Sequence, residues 1–335
     1  MSGARWVCIS HADSGELRLL SMAADGGLEP RHSLSLGGQL MPMAQSSCGQ
    51  RLYVARRSDP MAVISLALDR QAQRLTVLGQ TALPASMAYL SLDRTGRYLL
   101  AASYQGHLLS VSPIAGDGRV GAVQQVVSTP ANAHAVLAAP SNAHVLATSL
   151  GGDAVLQFLF DAASGRLTAN EPAQWSAPRG AGPRHLRFHP MGRYVYLLNE
   201  LDATMQVLAF DSDRGVLEAV QSLSILPPGF AGKPWAADLQ ITPDGCFVYC
   251  SERTSSCVAC LALSPDGRRA RVLGHVPTEQ QPRGMAIDHE GAHLLVVGQL
   301  SNQLSRYRID PASGQLHAVQ RLPVGENPNW IEVMS

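Results

Sequence analysis

The chain has 335 residues, 46% of them hydrophobic and 16% charged, which describes a compact folded protein and excludes a disordered one. Lysine plus arginine equals aspartate plus glutamate at 26 each, so there is no long-range field to hold nucleic acid or an anionic membrane. The opening MSGARWVCISHADSG lacks the apolar stretch of a signal peptide, and no run is long enough to span a bilayer, so the expectation is a soluble cytoplasmic protein.

From the N-terminus, WVCIS, ELRLL and PRHSLSL read as three short strands, with the turn ADGGLEP leading into the last. That turn then recurs along the chain as RQAQRLTV, GDGRVGAV, ASGRLTAN, DRGVLEAV, PDGRRARV and ASGQLHAV. Anchored at Gly26, Gln73, Gly118, Gly165, Gly215, Gly267 and Gly314, the seven copies lie 45 to 52 residues apart. Glycine and aspartate around the anchors suit tight hairpins that need positive φ.

A second element keeps the same period: an apolar strand, a polar turn and another strand, as in SLDRTGRYLLAAS, LAAPSNAHVLATS, RFHPMGRYVYLLN, QITPDGCFVYCSE and AIDHEGAHLLVVG. A third apolar segment, such as MQVLAF or QLSRYRI, lies between the two. Each unit therefore offers four short strands and no helical periodicity, which predicts an all-β, seven-bladed β-propeller with four antiparallel strands per blade. The chain ends in GENPNWIEVMS, which matches the first strand of a unit, whereas its beginning matches strands two to four. The last blade is then built from both termini, which closes the ring, and residues 1–335 form a single domain.

Cys246, Cys250, Cys257 and Cys260 fall within fifteen residues and invite a zinc reading. They sit in the strand-like segments CFVYC and CVACLAL, where the odd separation of Cys257 and Cys260 sends them to opposite faces. Small buried thiols are the expectation, and Cys8 and Cys48 stand alone.

Aligned units let equivalent positions be read as rings around the channel. One ring, at the start of the innermost strand, contains Met43, Ala88, His134, Arg184, Ala237, Arg283 and Asn329. The second lies eight residues beyond the turn residues Gly49, Gly96, Asn142, Gly192, Gly245 and Gly291, and contains Arg57, Tyr104, Leu150, Glu200, Arg253 and Gln299. Antiparallel pairing puts both at one mouth, with His185, Asn199, Trp235, Asp238 and Glu252 flanking them. Water-exposed strand ends, with pairs such as Glu252 and Arg253, are the plain alternative. Four arginines at one mouth fit a small ligand with several negative charges, because a guanidinium forks onto phosphate or carboxylate. Glu200 and His134 are the general-base candidates. The rings hold no serine, threonine or cysteine nucleophile, and no grouping has metal-ligand spacing, so no metal or cofactor is expected. His189 and His289, near the other end of their strands, read as structural.

With these residues in view, the whole chain resembles the seven-bladed β-propeller lactonases, which include bacterial 6-phosphogluconolactonases and fungal enzymes acting on muconate lactones. The matching stretches are GAGPRHLRFHP (180–190), YLLNEL (196–201), WAADLQITPDG (235–245), SERTSS (251–256), TEQQPRGM (278–285) and VGQLSNQLSRY (297–307). The segment PANAHAVLAAPSNA (130–143) departs from the pattern: it lacks the usual proline before the ring position and the usual Asp-Gly turn. The resemblance implies hydrolysis of a phosphosugar lactone, 6-phospho-D-glucono-1,5-lactone, in the pentose phosphate pathway by a monomer or weak homodimer. It also implies a catalytic cluster of a histidine, an arginine, a glutamate and a second arginine, carried here by His134, Arg184, Glu200 and Arg253. Arg57, Arg283 and His185 would then hold the phosphate, Arg184 and Arg253 would stabilise the oxyanion, and Glu200, or His134 oriented by it, would activate water. Tyr104, Asn199, Trp235, Asp238 and Gln299 complete the expected substrate contacts. Two other readings stay open: a lactonase or lactonising cyclase for a carboxylated muconate-type lactone, and a non-catalytic propeller scaffold.

Overall fold

The computed structural model describes residues 5–334; residues 1–4 and Ser335 of the expected 1–335 domain lie outside the described residues. Those residues form 28 strands and no helix, so no helix is long and apolar enough to cross a membrane. The strands make seven four-stranded antiparallel sheets. The molecule is a seven-bladed β-propeller, as the repeat predicts. The blades are numbered here from 40–82 as the first, through 89–128, 133–176, 183–224, 236–277 and 282–323, to the composite seventh.

The seventh blade joins the ends of the chain. Pro328–Met334 is its innermost strand and pairs antiparallel with Arg5–His11, from Trp6 opposite Met334 to His11 opposite Pro328. Glu16–Met22 and Leu28–Ser35 complete it. Closing the ring this way joins the two ends of the chain and keeps the inner edge strand of every blade inside the channel.

The turns carry the chemistry their sequences announce. All seven anchors, including the non-glycine Gln73, have positive φ, between 54° and 88°. Asn142 takes the place of the usual turn glycine at φ 59°, a conformation asparagine tolerates better than most residues.

Alternation along each strand sends side chains to the two neighbouring blades. In Tyr194–Asn199, Val195 and Leu197 pack toward the third blade, whereas Tyr196 and Leu198 pack toward the fifth. The result is seven apolar clusters, one between each pair of neighbours, with the outer strands exposed. The cysteines follow this alternation. Cys250 belongs to the layer between blades four and five, and Cys260 to that between five and six. Cys246 is exposed and Cys257 only partly buried, so the expectation of buried thiols holds for two of the four.

One irregularity recurs where it matters. In six blades the ladder between the innermost and second strands slips by one residue at the channel mouth: Pro183 faces Asn199, but His185 already faces Leu198. Such a β-bulge re-aims the extra side chain. Arg184 and His185, which a regular strand would send to opposite faces, both reach the channel side and lie 3.1 Å apart.

Candidate active site

The bulge also corrects the first ring. In the first blade Leu40 faces Arg56 and Met43 faces Val54, so the residue equivalent to His134 and Arg184 is Met41, not Met43. Arg57 confirms the register, because its Nη1 rests 3.0 Å from the Met41 sulfur while its Nε donates to Ser86 Oγ at 2.8 Å.

Glu200 is the hub of the mouth. Its Oε2 accepts from Arg184 Nε at 2.7 Å and from Arg253 Nη2 at 2.8 Å, and its Oε1 accepts from Trp235 Nε1 at 3.2 Å. The Trp235 ring lies 3.8 Å from the Arg253 guanidinium, a cation–π stack that fixes it from above. Burial alone would raise the Glu200 pKa, but the charges of Arg184 and Arg253 outweigh it and hold the carboxyl below its usual range. Glu200 is therefore an ionised clamp.

The two clamped arginines are also pinned by backbone. Arg184 Nη1 donates to Ala237 O, and Arg253 donates to Trp235 O at 3.1 Å and to Ala236 O at 2.9 Å. Among the described residues, no hydrogen bond reaches one terminal nitrogen on each: Nη2 of Arg184 and Nη1 of Arg253. The half-buried Arg283 goes further, since its guanidinium has no hydrogen bond or ion pair to another described residue. Burial, and then the charges of Arg184, Arg253 and Arg57, push its pKa well down. Burial also lowers Arg253, to about 9. Four guanidiniums facing one carboxylate repel one another, and an anionic ligand relieves that repulsion.

His134 does not touch Glu200, contrary to the expected orienting contact. Its ring packs edge-on between Tyr104 and His185, with centroids 6.0 and 5.1 Å away, and its Nδ1 is buried without a partner among the described residues. Burial and the charge of Arg184 hold its pKa well below 6.5, so it is neutral.

Four expected substrate contacts are corrected, the first being His185, whose Nδ1 donates to Asp238 at 2.8 Å and whose Nε2 faces Arg184 Nη1 at 3.1 Å, leaving neither nitrogen open to a phosphate. Asn199 is fully buried and gives its Nδ2 to Thr204 Oγ1 at 2.9 Å, because it lies on the blade side of its strand. Asp238 lies beneath His185, accepting from its Nδ1 at 2.8 Å, and is buried. Gln299 spends its amide on Gln281 and Asn327 at the rim. Among the described residues Glu252 does not pair with Arg253; it accepts from Trp235 N, just before the neighbouring inner strand, at 2.7 Å and caps the following turn through Thr254 N at 3.2 Å. Leu150 is buried, and His189 is a packed structural residue beside Tyr196.

Sequence reasoning missed the layers below. Tyr89 and Trp330 flank His185 edge-on at 5.2 and 5.9 Å and make an aromatic floor. Beneath it, Arg187, Gln240 and Glu332 line a cavity of about 130 Å³. The signal was a charge at an inward position of an otherwise apolar strand, in HLRF and WIEV. Among the described residues no three His, Cys, Asp or Glu side chains come together to hold a metal.

Residues 7–333 match the family described as Lactonase, 7-bladed beta-propeller. The chain belongs to this family of lactonases. A 6-phosphogluconolactonase of Pectobacterium atrosepticum is 38% identical to this lactonase over 330 residues, 98% of each chain. One from Serratia proteamaculans is 37% identical over 329 residues, again 98% of each. Among solved structures, the Pseudomonas aeruginosa periplasmic gluconolactonase superposes with a TM-score of 0.93 at 26% identity, covering 99% of both chains. A putative 6-phosphogluconolactonase from Bacteroides fragilis shares the fold with a TM-score of 0.91 at 22% identity, covering 100% of this lactonase and 99% of that chain.

Proposed function

We propose that this lactonase hydrolyses 6-phospho-D-glucono-1,5-lactone to 6-phosphogluconate at the arginine-rich mouth. The observation that carries the reading is an uncompensated cluster of cations around one clamped carboxylate, in a chain whose full-length relatives bear that enzyme name. Arg283 and Arg57 hold the phosphate. The free Nη2 of Arg184 and Nη1 of Arg253 meet the lactone carbonyl oxygen as it becomes an oxyanion, where one lost donor costs about a hundredfold.

Water attacks C1, the ring C1–O5 bond breaks, and the departing oxygen takes a proton to become the C5 hydroxyl. His134 receives the proton from water and passes it to the departing ring oxygen. The field of the arginines that depresses its basicity is cancelled by the bound phosphate, so its proton affinity rises when substrate is present. Glu200, ionised and bonded to both arginines, acts by holding them. On this reading the protein works in the cytoplasm on a small anionic sugar lactone, and its own side chains supply the chemistry.

The test is lactone hydrolysis by wild type, Glu200→Gln and His134→Ala, corrected for spontaneous opening. Both variants lose at least about tenfold in kcat; near wild-type rates in both would overturn the assignment. A muconolactone run beside the phosphosugar lactone decides the substrate class, and faster turnover of the muconolactone would replace it.

A further inference from the structure

Asp238 has no place in the chemistry above, yet it is among the most constrained carboxylates in the molecule. Four donors converge on it. His185 Nδ1 and Leu239 N lie 2.8 Å from Oδ1, and Met285 N and Gln240 Nε2 lie 2.9 and 3.1 Å from Oδ2. They come from blades four, five and six, so the carboxylate ties three blades together under the mouth. Only a carboxylate suits this pocket, because an amide in either orientation sets an NH₂ against a backbone N–H.

The same contacts determine the protonation of His185. Asp238 is an acceptor, so Nδ1 must carry the proton. On the opposite edge of the ring, Arg184 Nη1 is a donor 3.1 Å from Nε2, so Nε2 must be bare. Both neighbours demand one tautomer. With Nε2 occupied by Arg184, His185 has no free nitrogen for a phosphate or a water. Tyr89, Trp330 and His134 close on its ring edge-on and hold its plane.

We propose that Asp238 and His185 are positioning residues that lock the His185 Nδ1–H tautomer and thereby hold Arg184 with its Nη2 turned to the ligand. Arg184 is then anchored at Nε by Glu200, at Nη1 by His185 and the Ala237 carbonyl, and only Nη2 is free. The proposal rests on the reading of the mouth as the lactone site for its functional part, and on the hydrogen bonds alone for the tautomer.

Two experiments separate those parts. The first is the imidazole ¹⁵N spectrum of the wild-type protein, with His185 assigned by its loss in His185→Gln. A neutral Nδ1–H ring from pH 5 to pH 8 is expected; an Nε2–H or charged ring overturns the proposal, whatever the substrate. The second is kinetic. His185→Gln replaces the ring by an amide that donates toward Asp238 and accepts from Arg184, whereas His185→Ala supplies neither bond. His185→Ala and Asp238→Ala each lower kcat by about a hundredfold with a smaller change in KM. His185→Gln recovers to within about tenfold of wild type with the pH profile unchanged. A glutamine variant that folds yet is as inactive as alanine, or loses a limb of the profile, makes His185 a proton carrier or ligand contact and refutes the positioning role. If no variant turns over the phosphosugar lactone and wild type does not either, the substrate reading fails while the spectrum still decides the tautomer.

Discussion

Glu332→Gln isolates a buried channel carboxyl with no cation bonded to it. Glu332 accepts from Trp330 Nε1 and Gln45 Nε2, both at 2.9 Å, but both donors are neutral. Burial raises its pKa, the hydrogen bonds from Trp330 and Gln45 and the charge of Arg187 lower it, and the charge of Asp238 raises it, for a net rise from 4.5 to about 7. A raised carboxyl pKa means the folded state holds the proton more tightly than the unfolded chain. The associated stability is complete below pH 4.5 and is lost as pH rises through 7. A displacement from 4.5 to about 7, at about 1.4 kcal/mol per pH unit, amounts to about 3.5 kcal/mol in full, of which about 2.5 kcal/mol is lost between pH 5 and pH 8. For 335 residues unfolding with about 0.7 kcal/mol/K of entropy, that is about 4 °C in Tm. Glutamine does not titrate. The difference in Tm between Glu332→Gln and wild type, measured by differential scanning calorimetry at pH 5 and pH 8, therefore rises by about 4 °C toward pH 8. Comparing the difference across pH removes whatever the new amide does to its hydrogen bonds. A difference that does not change with pH refutes the reasoning.

Three further outcomes follow from the mouth. Arg283→Ala raises KM for the phosphorylated lactone by about ten- to a hundredfold, the equivalent of a lost charged hydrogen bond, and leaves KM for unphosphorylated glucono-1,5-lactone within about threefold; equal changes in both would remove Arg283 from the phosphate. The kcat/KM profile of wild type stays flat on the acid side through pH 6.5, because burial and Arg184 hold His134 neutral well below that value; an inflection near 6.5 would contradict its environment. Trp235→Phe keeps a ring over Arg253 but loses the bond to Glu200 and costs about fivefold in kcat, whereas Trp235→Ala costs about tenfold more; equal losses would mean the stack contributes nothing.

The propeller was legible because its signals are local and repeated. Turn residues at Gly26, Gln73 and their five counterparts needed only a positive φ, and the structure supplies it at all seven. The site was legible at one level and hidden at the next. Arg184, Glu200 and Arg253 meet because strand ends converge wherever a propeller closes, which the repeat already implies. Met41 in place of Met43 was hidden because a bulge adds one residue without altering composition or period. Asn199 and Glu200 are adjacent in sequence, yet one faces the blade core and the other the channel, a distinction set by where the ladder ends. Asp238 read as a ligand contact because a polar residue at the mouth suggests one. Its role as the acceptor of four donors depends on Met285 and His185, which are 47 and 53 residues away. Long-range pairing of this kind leaves no trace in a single segment.

The account turns on where the charges of the ligand sit. A crystal structure of this lactonase with 6-phosphogluconate measures that directly. The account predicts the phosphate on Arg283 and Arg57, and the C1 carboxylate on the free nitrogens of Arg184 and Arg253 beside His134. A phosphate bound below the aromatic floor at Arg187, or a ligand that leaves the mouth arginines untouched, would contradict it.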